Sequence, residues 1–340
     1  MSKLYSAYQL KGQTIKNRLV MAPMCMYSAA QGLANDWHLA HYLSRAVGGV
    51  GTIVVEATGV LPEGRITEQD LGLWDDSQIA PLKRIVDEVK RYNCFIGIQL
   101  NHAGRKSQTQ GKIFAPSSIA FETMPTPIEM TKEDIQKVIE SFQQAALRAD
   151  RAGFDFIQIH GAHGYLINQF LSPLTNKRND KYGGTLTNRT RFLREIIQAI
   201  TSVWPKEKIL SLRVSAEEYH PDGNHVEEIC EVINLSKDFG IDMIDVSSGG
   251  VVNVKINAFP GYQLPFAQKV KEKTALPVTG GGLICTASEA EKALSDFGLD
   301  LIFMGRELLR NPFLPLNQAS PLGVDLEWPY QYKRAKIVPK

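Results

Sequence analysis

The chain has 340 residues, 44% hydrophobic and 22% charged, the balance of a globular protein with a large core. A net charge of +2 with no block of like charge argues against a nucleic-acid partner. The start, Met1-Ser2-Lys3-Leu4-Tyr5, lacks the apolar core of an export signal, and no run approaches a membrane span; Cys25, Cys94, Cys230 and Cys285 show neither zinc nor CxxC spacing. The expectation is a cytoplasmic protein with reduced thiols and no membrane partner.

In chain order, short apolar runs alternate with helix-length amphipathic segments. Residues 18–21 read as a strand followed by a helix over 38–47; 52–55 is followed by 79–92, and 95–100 by 132–152. The pattern continues with 156–159 and 188–204, 209–214 and 226–239, 243–246 and 264–273, 277–279 and 287–297, and 301–304 and 307–309. Helices between strands imply parallel pairing, and eight such units close a barrel. No linker divides the chain. The predicted fold is α/β, a single (β/α)8 TIM barrel over 1–340, with long βα loops on the active-site face. The longest irregular stretches, 101–130 and 172–187, both follow strand ends, where such loops serve function.

The chemistry gathers at those ends. The run His160-Gly161-Ala162-His163-Gly164-Tyr165-Leu166 follows the strand at 156–159, setting two imidazoles and a phenol just beyond it. Two imidazoles can donate to one ligand oxygen, and the phenol is a proton source. Gly280-Gly281-Gly282 follows the seventh strand and Gly305-Arg306 the eighth, the paired positions at which barrels hold phosphate. This leaves phosphosugars, nucleotides and flavins open. Arg213 interrupts an apolar strand and needs an anion, from a neighbouring Asp or Glu or from a ligand. Gln99 ends another strand, and Cys25 and Tyr27 sit in Pro23-Met24-Cys25-Met26-Tyr27 past the first. H-x-x-H could bind a metal with Glu56, Asp245 or His102 as third ligand, but the spacing does not support one and no metal is predicted. A strand–helix G-x-G-x-x-G is missing, so a nicotinamide would come as a visiting substrate.

These positions together resemble the Old Yellow Enzyme family, in its bacterial subgroup with a cysteine near the flavin, from about Tyr5 to Arg334. The shared motifs include Lys16-Asn17-Arg18, the segment from Ala22 to Tyr27, Gln99-Leu100-Asn101-His102-Ala103-Gly104-Arg105, the His160 run, Tyr182-Gly183-Gly184, Arg213-Val214-Ser215, Phe259-Pro260-Gly261-Tyr262-Gln263 and Gly305 to Arg310. The resemblance implies an FMN-dependent ene-reductase (an NADPH dehydrogenase) with non-covalent FMN and NADPH as reductant, acting on the activated C=C bonds of unsaturated carbonyl or nitro compounds. By the same resemblance Ala22, Pro23, Met24, Cys25 and Ala57 line the flavin, Gln99 binds its pyrimidine edge, Arg213 lies near N1 and O2, and Gly282, Gly305 and Arg306 hold its phosphate. His160 and His163 bind the substrate's oxygen, Tyr165 donates the proton and Tyr27 caps the substrate. A homo-oligomer, dimer or tetramer, is implied, with Arg334 reaching a neighbouring active site. Gly161 and Asn101 depart from the family pattern, and Gly161 implies a looser loop. A phosphosugar isomerase, a metal-dependent hydrolase and a non-catalytic flavin carrier are the competing readings.

Overall fold

The computed structural model describes residues 2–336. The chain opens with a short antiparallel hairpin, β1 (Tyr8–Leu10) and β2 (Gln13–Ile15), and then enters the ring at β3 (Leu19–Met21). After helix α1 (Asp36–Val47) come β4 (Thr52–Gly59), α2 (Ile79–Lys90) and β5 (Phe95–Asn101). The loop that follows carries a two-residue pairing of β6 (Phe114–Ala115) with β7 (Ile128–Glu129), before α3 (Lys132–Arg151). Then follow β8 (Phe156–Gly161), α4 (Leu166–Leu171), α5 (Leu186–Arg189), α6 (Arg191–Thr201), β9 (Ile209–Ser215), α7 (Val226–Asn234), β10 (Met243–Ser247), α8 (Leu264–Thr274) and β11 (Val278–Gly280). The last elements are α9 (Ala287–Asp296), β12 (Leu301–Met304), α10 (Arg306–Arg310) and α11 (Leu314–Gln318).

Strands β3, β4, β5, β8, β9, β10, β11 and β12 pair in that order, every pair parallel, and β12 returns to β3 to close the barrel. The predicted (β/α)8 TIM barrel is thus the observed fold. Their residues are buried almost throughout, as expected of strands covered by helices on one side and packed into a barrel on the other. The helices supply the outer layer. In α3, Ile135, Val138, Ile139, Phe142, Ala145, Ala146 and Ala149 recur at helical spacing and are buried, and the Thr131–Asp134 capping box satisfies its first amides. Among the described residues, no helix is long and apolar enough to cross a membrane.

The opening hairpin has no counterpart in the sequence reading. Ile15 packs with Val20, Val54, Phe156, Ile209, Met243 and Leu301, and Tyr8, Leu10 and Phe95 pack against this cluster. Most of these residues begin their strands, so the hairpin stoppers the N-terminal end of the barrel. Two three-residue strands are too short for a periodicity signal to reveal. Further differences lie at element ends. The segment 188–204 is α5 and α6 broken at Thr190, and the helix at 226–239 stops at Asn234 before a 3-10 turn at Lys237–Phe239. Strand β8 runs on through His160 and Gly161, which are therefore strand residues rather than residues beyond it. Gly161 pairs with Val214 on β9, and a Cβ on it would lie 2.9 Å from the Arg213 carbonyl oxygen. Glycine here permits tight strand approach, and the expected looser loop is not found.

Replacing Ile15, 1% exposed, with alanine leaves a void under the barrel. Ile15→Ala should lower stability by about 2–5 kcal/mol, read as an earlier denaturant midpoint, without altering ligands bound at the opposite end.

Candidate active site

A cavity of about 390 Å³ opens at the C-terminal ends of the strands. Its walls include Ala22, Pro23, Met24 and Cys25 after β3, Ala57 on β4, Gln99 on β5, His160, His163 and Tyr165 on and after β8, and Arg213 on β9. Gly282 after β11 and Gly305 with Arg306 after β12 complete it. Every residue predicted for cofactor contact is on this one surface. Tyr27 is not; it lines an adjoining cavity of about 690 Å³ together with Tyr165, Lys106 and Phe121. Arg334 lines neither cavity and is exposed on the 3-10 turn Tyr330–Ala335.

The turn from β8 into α4 is built to hold the imidazoles and the phenol. His163 has φ +58°, a left-handed conformation that costs a residue with a side chain about 1–3 kcal/mol. Two contacts hold it there: its backbone N–H donates to Ser215 Oγ at 2.9 Å, and its Nε2 lies 2.7 Å from Ser247 Oγ. Gly164 follows at φ +71°, and a Cβ on it would sit 2.1 Å from the Gly250 carbonyl oxygen, so only glycine fits. Tyr165 precedes the first turn of α4 and is partly buried against His160, ring centroids 4.9 Å apart; the His160 and His163 rings meet edge to face at 5.2 Å. Burial, then neighbouring positive groups including Arg213, pushes both imidazoles well below the usual histidine range, so both are neutral at pH 7. His160 Nδ1 is buried without a partner. Burial raises the Tyr165 phenol far above the usual tyrosine value, so it stays protonated.

Arg213 finds the carboxylate that its sequence context allowed. Its Nε lies 3.2 Å from Asp245 Oδ1 on β10, while the side chain also faces the cavity. Across the cavity, Cys25 is a free thiol whose pKa burial raises, and Tyr27 beside it, at φ +50°, is pushed up to about 12, chiefly by burial. Register shifts between Val55 and Ala57 in β4. This bulge turns Glu56 toward α1 and returns Ala57 to the cavity. Glu56, fully buried, accepts the Met26 N–H at 2.7 Å and the Tyr42 hydroxyl at 3.1 Å, and so fastens the Cys25–Tyr27 loop from behind. The nominated metal ligands are occupied separately: Glu56 here, Asp245 with Arg213, and His102 accepting the Gly104 N–H at 3.1 Å, where it anchors its loop.

The cavity suits a flat ligand with a polar ring edge and an anionic tail. Arg306 and Arg310 stand at the end where Gly282 and Gly305 expose backbone, and at Gly305 a Cβ would meet nothing closer than Met24 Sδ at 3.4 Å. Arg213 and Gln99 offer a cation and an amide to the ring edge. Those donors fit FMN. Sequence reasoning missed Ser247, Lys106 and Gln158; it met Gln263 and Arg310 only inside longer motifs, without a role, and Asp245 only as a nominated metal ligand. Ser247, Lys106 and Gln158 are ordinary polar residues whose sequence context marks no role, and only packing makes them part of the site.

A parallel barrel with such a mouth defines a flavin-type oxidoreductase. Residues 3–322 match the NADH:flavin oxidoreductase / NADH oxidase family. An NADPH dehydrogenase of Geobacillus thermodenitrificans is 52% identical over 334 residues, 97% of this chain and 98% of that protein. An NADPH dehydrogenase of Clostridium acetobutylicum is 50% identical over 337 residues, 98% of this chain and 99% of that one. The solved structure of morphinone reductase superposes with a TM-score of 0.83 at 27% identity, over 96% of this chain and 91% of that one. The chain belongs to the NADH:flavin oxidoreductase / NADH oxidase family, as its resemblance to the Old Yellow Enzymes implied, and it is a flavin oxidoreductase.

Burial pushes the Glu56 carboxyl up from its ordinary 4.5 to about 7. As pH rises from 4.5, the unfolded chain releases this proton first, so stability falls until about pH 7 and then levels off. Glu56→Gln should remove that slope, a difference on the order of 3 kcal/mol across the interval, measured as melting temperature against pH.

Proposed function

We propose that this protein is an FMN-dependent NADPH dehydrogenase of the ene-reductase type, which reduces the activated C=C bonds of unsaturated carbonyl or nitro compounds. One observation carries the reading: two neutral imidazoles and a protonated phenol line the same small cavity as Arg213 and Gln99. The NADPH dehydrogenase relatives support NADPH as the reductant.

When bound, FMN supplies the hydride chemistry, accepting hydride from a nicotinamide and passing it to carbon. The protein's own part is to bind, orient and supply the proton. Ala22, Pro23, Met24, Cys25 and Ala57 would line the ring, with Gln99 and Arg213 at its polar edge and Gly282, Gly305 and Arg306 at the phosphate. A fixed guanidinium near the edge where negative charge collects stabilises that charge without reorganisation. His160 and His163 would donate to the substrate's carbonyl or nitro oxygen. Ser247 Oγ, which accepts from Gln263 Nε2 at 3.2 Å, lies 2.7 Å from His163 Nε2 and holds the ring in place. Drawing charge onto that oxygen makes the β-carbon electrophilic, and one such donor contributes about 2.7–4 kcal/mol. Tyr165 delivers the proton to the α-carbon, and Tyr27, in the adjoining cavity, caps the substrate.

We take the chain as one FMN-binding domain, which Tyr5 near its start supports by donating to the Pro315 carbonyl at 2.9 Å. Four free thiols support a reducing, cytoplasmic compartment. Arg334 is assigned to a second copy's active site in a homo-oligomer. Its neighbours Tyr330 and Lys333 line a groove with Lys16, Gly49 and Asn93, residues that precede barrel strands. The tail therefore lies at the end of the barrel opposite its own cavity. Arg334→Ala should raise KM for alkenes while FMN occupancy stays full; an unchanged KM removes Arg334 from any site.

The purified protein should carry FMN and bleach anaerobically with NADPH, and a colourless protein that takes up no flavin ends this reading. Tyr165→Phe should slow alkene reduction about 10²–10⁴-fold and leave flavin bleaching intact in stopped-flow measurements. Equal loss in both half-reactions would contradict the proton-donor role. Because burial holds the phenol protonated, the parent's alkene step should show no loss from tyrosine ionisation up to about pH 9.

A further inference from the structure

Gln99 and Arg213, two residues that would meet the polar edge of FMN, are joined behind the cavity by two residues that do not line it. Gln99 on β5 is level with Gln158 on β8, and Arg213 on β9 is level with Asp245 on β10. Gln158 and Asp245 are each 1% exposed. Gln99 Nε2 donates to Gln158 Oε1 at 2.7 Å, and Gln158 Nε2 donates to Asp245 Oδ2 at 3.2 Å. The other carboxylate oxygen lies 3.2 Å from Arg213 Nε, an ion pair without hydrogen-bond alignment.

We propose that Asp245 is a positioning residue for the flavin: through Gln158 it dictates which end of the Gln99 carboxamide faces the cavity, and through Arg213 it tempers the cation at the ring edge. The argument is one of hydrogen-bond direction. An ionised carboxylate only accepts. Gln158 must therefore turn its NH2 toward Asp245 and its carbonyl toward Gln99. Gln99 must then spend one of its two N–H donors on Gln158, which turns its nitrogen toward Gln158 and leaves Oε1 as its acceptor for the cavity. The two ends of a carboxamide are nearly the same shape, so nothing steric selects between them. The selected acceptor matches the imide N–H of a flavin's pyrimidine ring, and the reverse orientation would set donor against donor. Burial raises the Asp245 carboxyl above its ordinary range, Arg213 and the Gln158 amide oppose that rise, and the guanidinium 3.2 Å from Oδ1 is the partner of a carboxylate. Its negative charge beside Nε also offsets part of the guanidinium's pull on electron-rich reduced FMN.

The proposal rests on FMN occupying this cavity, and the test separates the two. FMN dissociation and the flavin midpoint potential are measured on the holoenzyme for the parent, Asp245→Asn and Gln158→Leu. Asp245→Asn should weaken FMN about tenfold and move the potential positive, since it frees the amide chain to reverse and removes a negative charge. Gln158→Leu, which breaks the chain but keeps the charge, should weaken FMN without that positive shift. If Asp245→Asn does not fold, Gln158→Leu decides: parent-like affinity overturns the proposal, and about tenfold weaker binding at parent potential supports it. Parent-like affinity and potential in both variants overturn it while leaving the proposed function intact. A parent protein without FMN overturns both.

Discussion

Closing eight parallel strands into a ring leaves no unpaired sheet edge and turns every strand's C-terminal end to the same side. Residues separated by hundreds of positions then share one mouth, from Ala22 after β3 to Arg306 after β12. The opposite end must be filled for the ring to have a dry core, and the β1–β2 hairpin fills it through Ile15. One end is thus given to stability and the other to chemistry. The C-terminal turn that carries Arg334 lies on the stability side, away from the cavity of its own chain.

Burial sets the chemistry at the mouth. Removing water from His160 and His163 keeps both neutral, so they serve as hydrogen-bond donors without the cost of an extra buried charge beside Arg213. The same desolvation holds Tyr165 and Cys25 in their protonated forms and lifts Glu56 toward neutrality. Asp245 stands beside Arg213 in the next strand and partly balances the guanidinium charge. The site therefore concentrates positive charge in a few fixed places. That arrangement suits a ligand that gains electrons during turnover.

The geometry depends on conformations that a free chain would avoid. His163 sits at positive φ, held by Ser215 and Ser247 from β9 and β10, and Gly164 touches the Gly250 backbone. The bulge at Glu56 costs a ladder position in β4, yet it lets one strand both face the cavity and brace the Cys25–Tyr27 loop. These are local violations supported by long-range contacts, as expected where a rigid scaffold holds reactive groups.

Much of this was legible in the order of residues alone. The alternation of apolar runs with amphipathic segments determined eight parallel strand–helix units, because a buried strand and a covering helix have different periods. The motifs around Cys25, Gln99, His160, Arg213 and Arg306 carried the family and the flavin chemistry, because strand order alone assigns each to the mouth. Only tertiary structure decided the rest. Two strands of three residues each give no period, so the hairpin stopper was invisible. Gln158, Asp245 and Ser247 gained their places through neighbours on other strands. Protonation states followed burial, and the end of the barrel on which Arg334 falls followed the path of the tail. Each of these depends on distances between segments far apart in the chain, which no local pattern encodes.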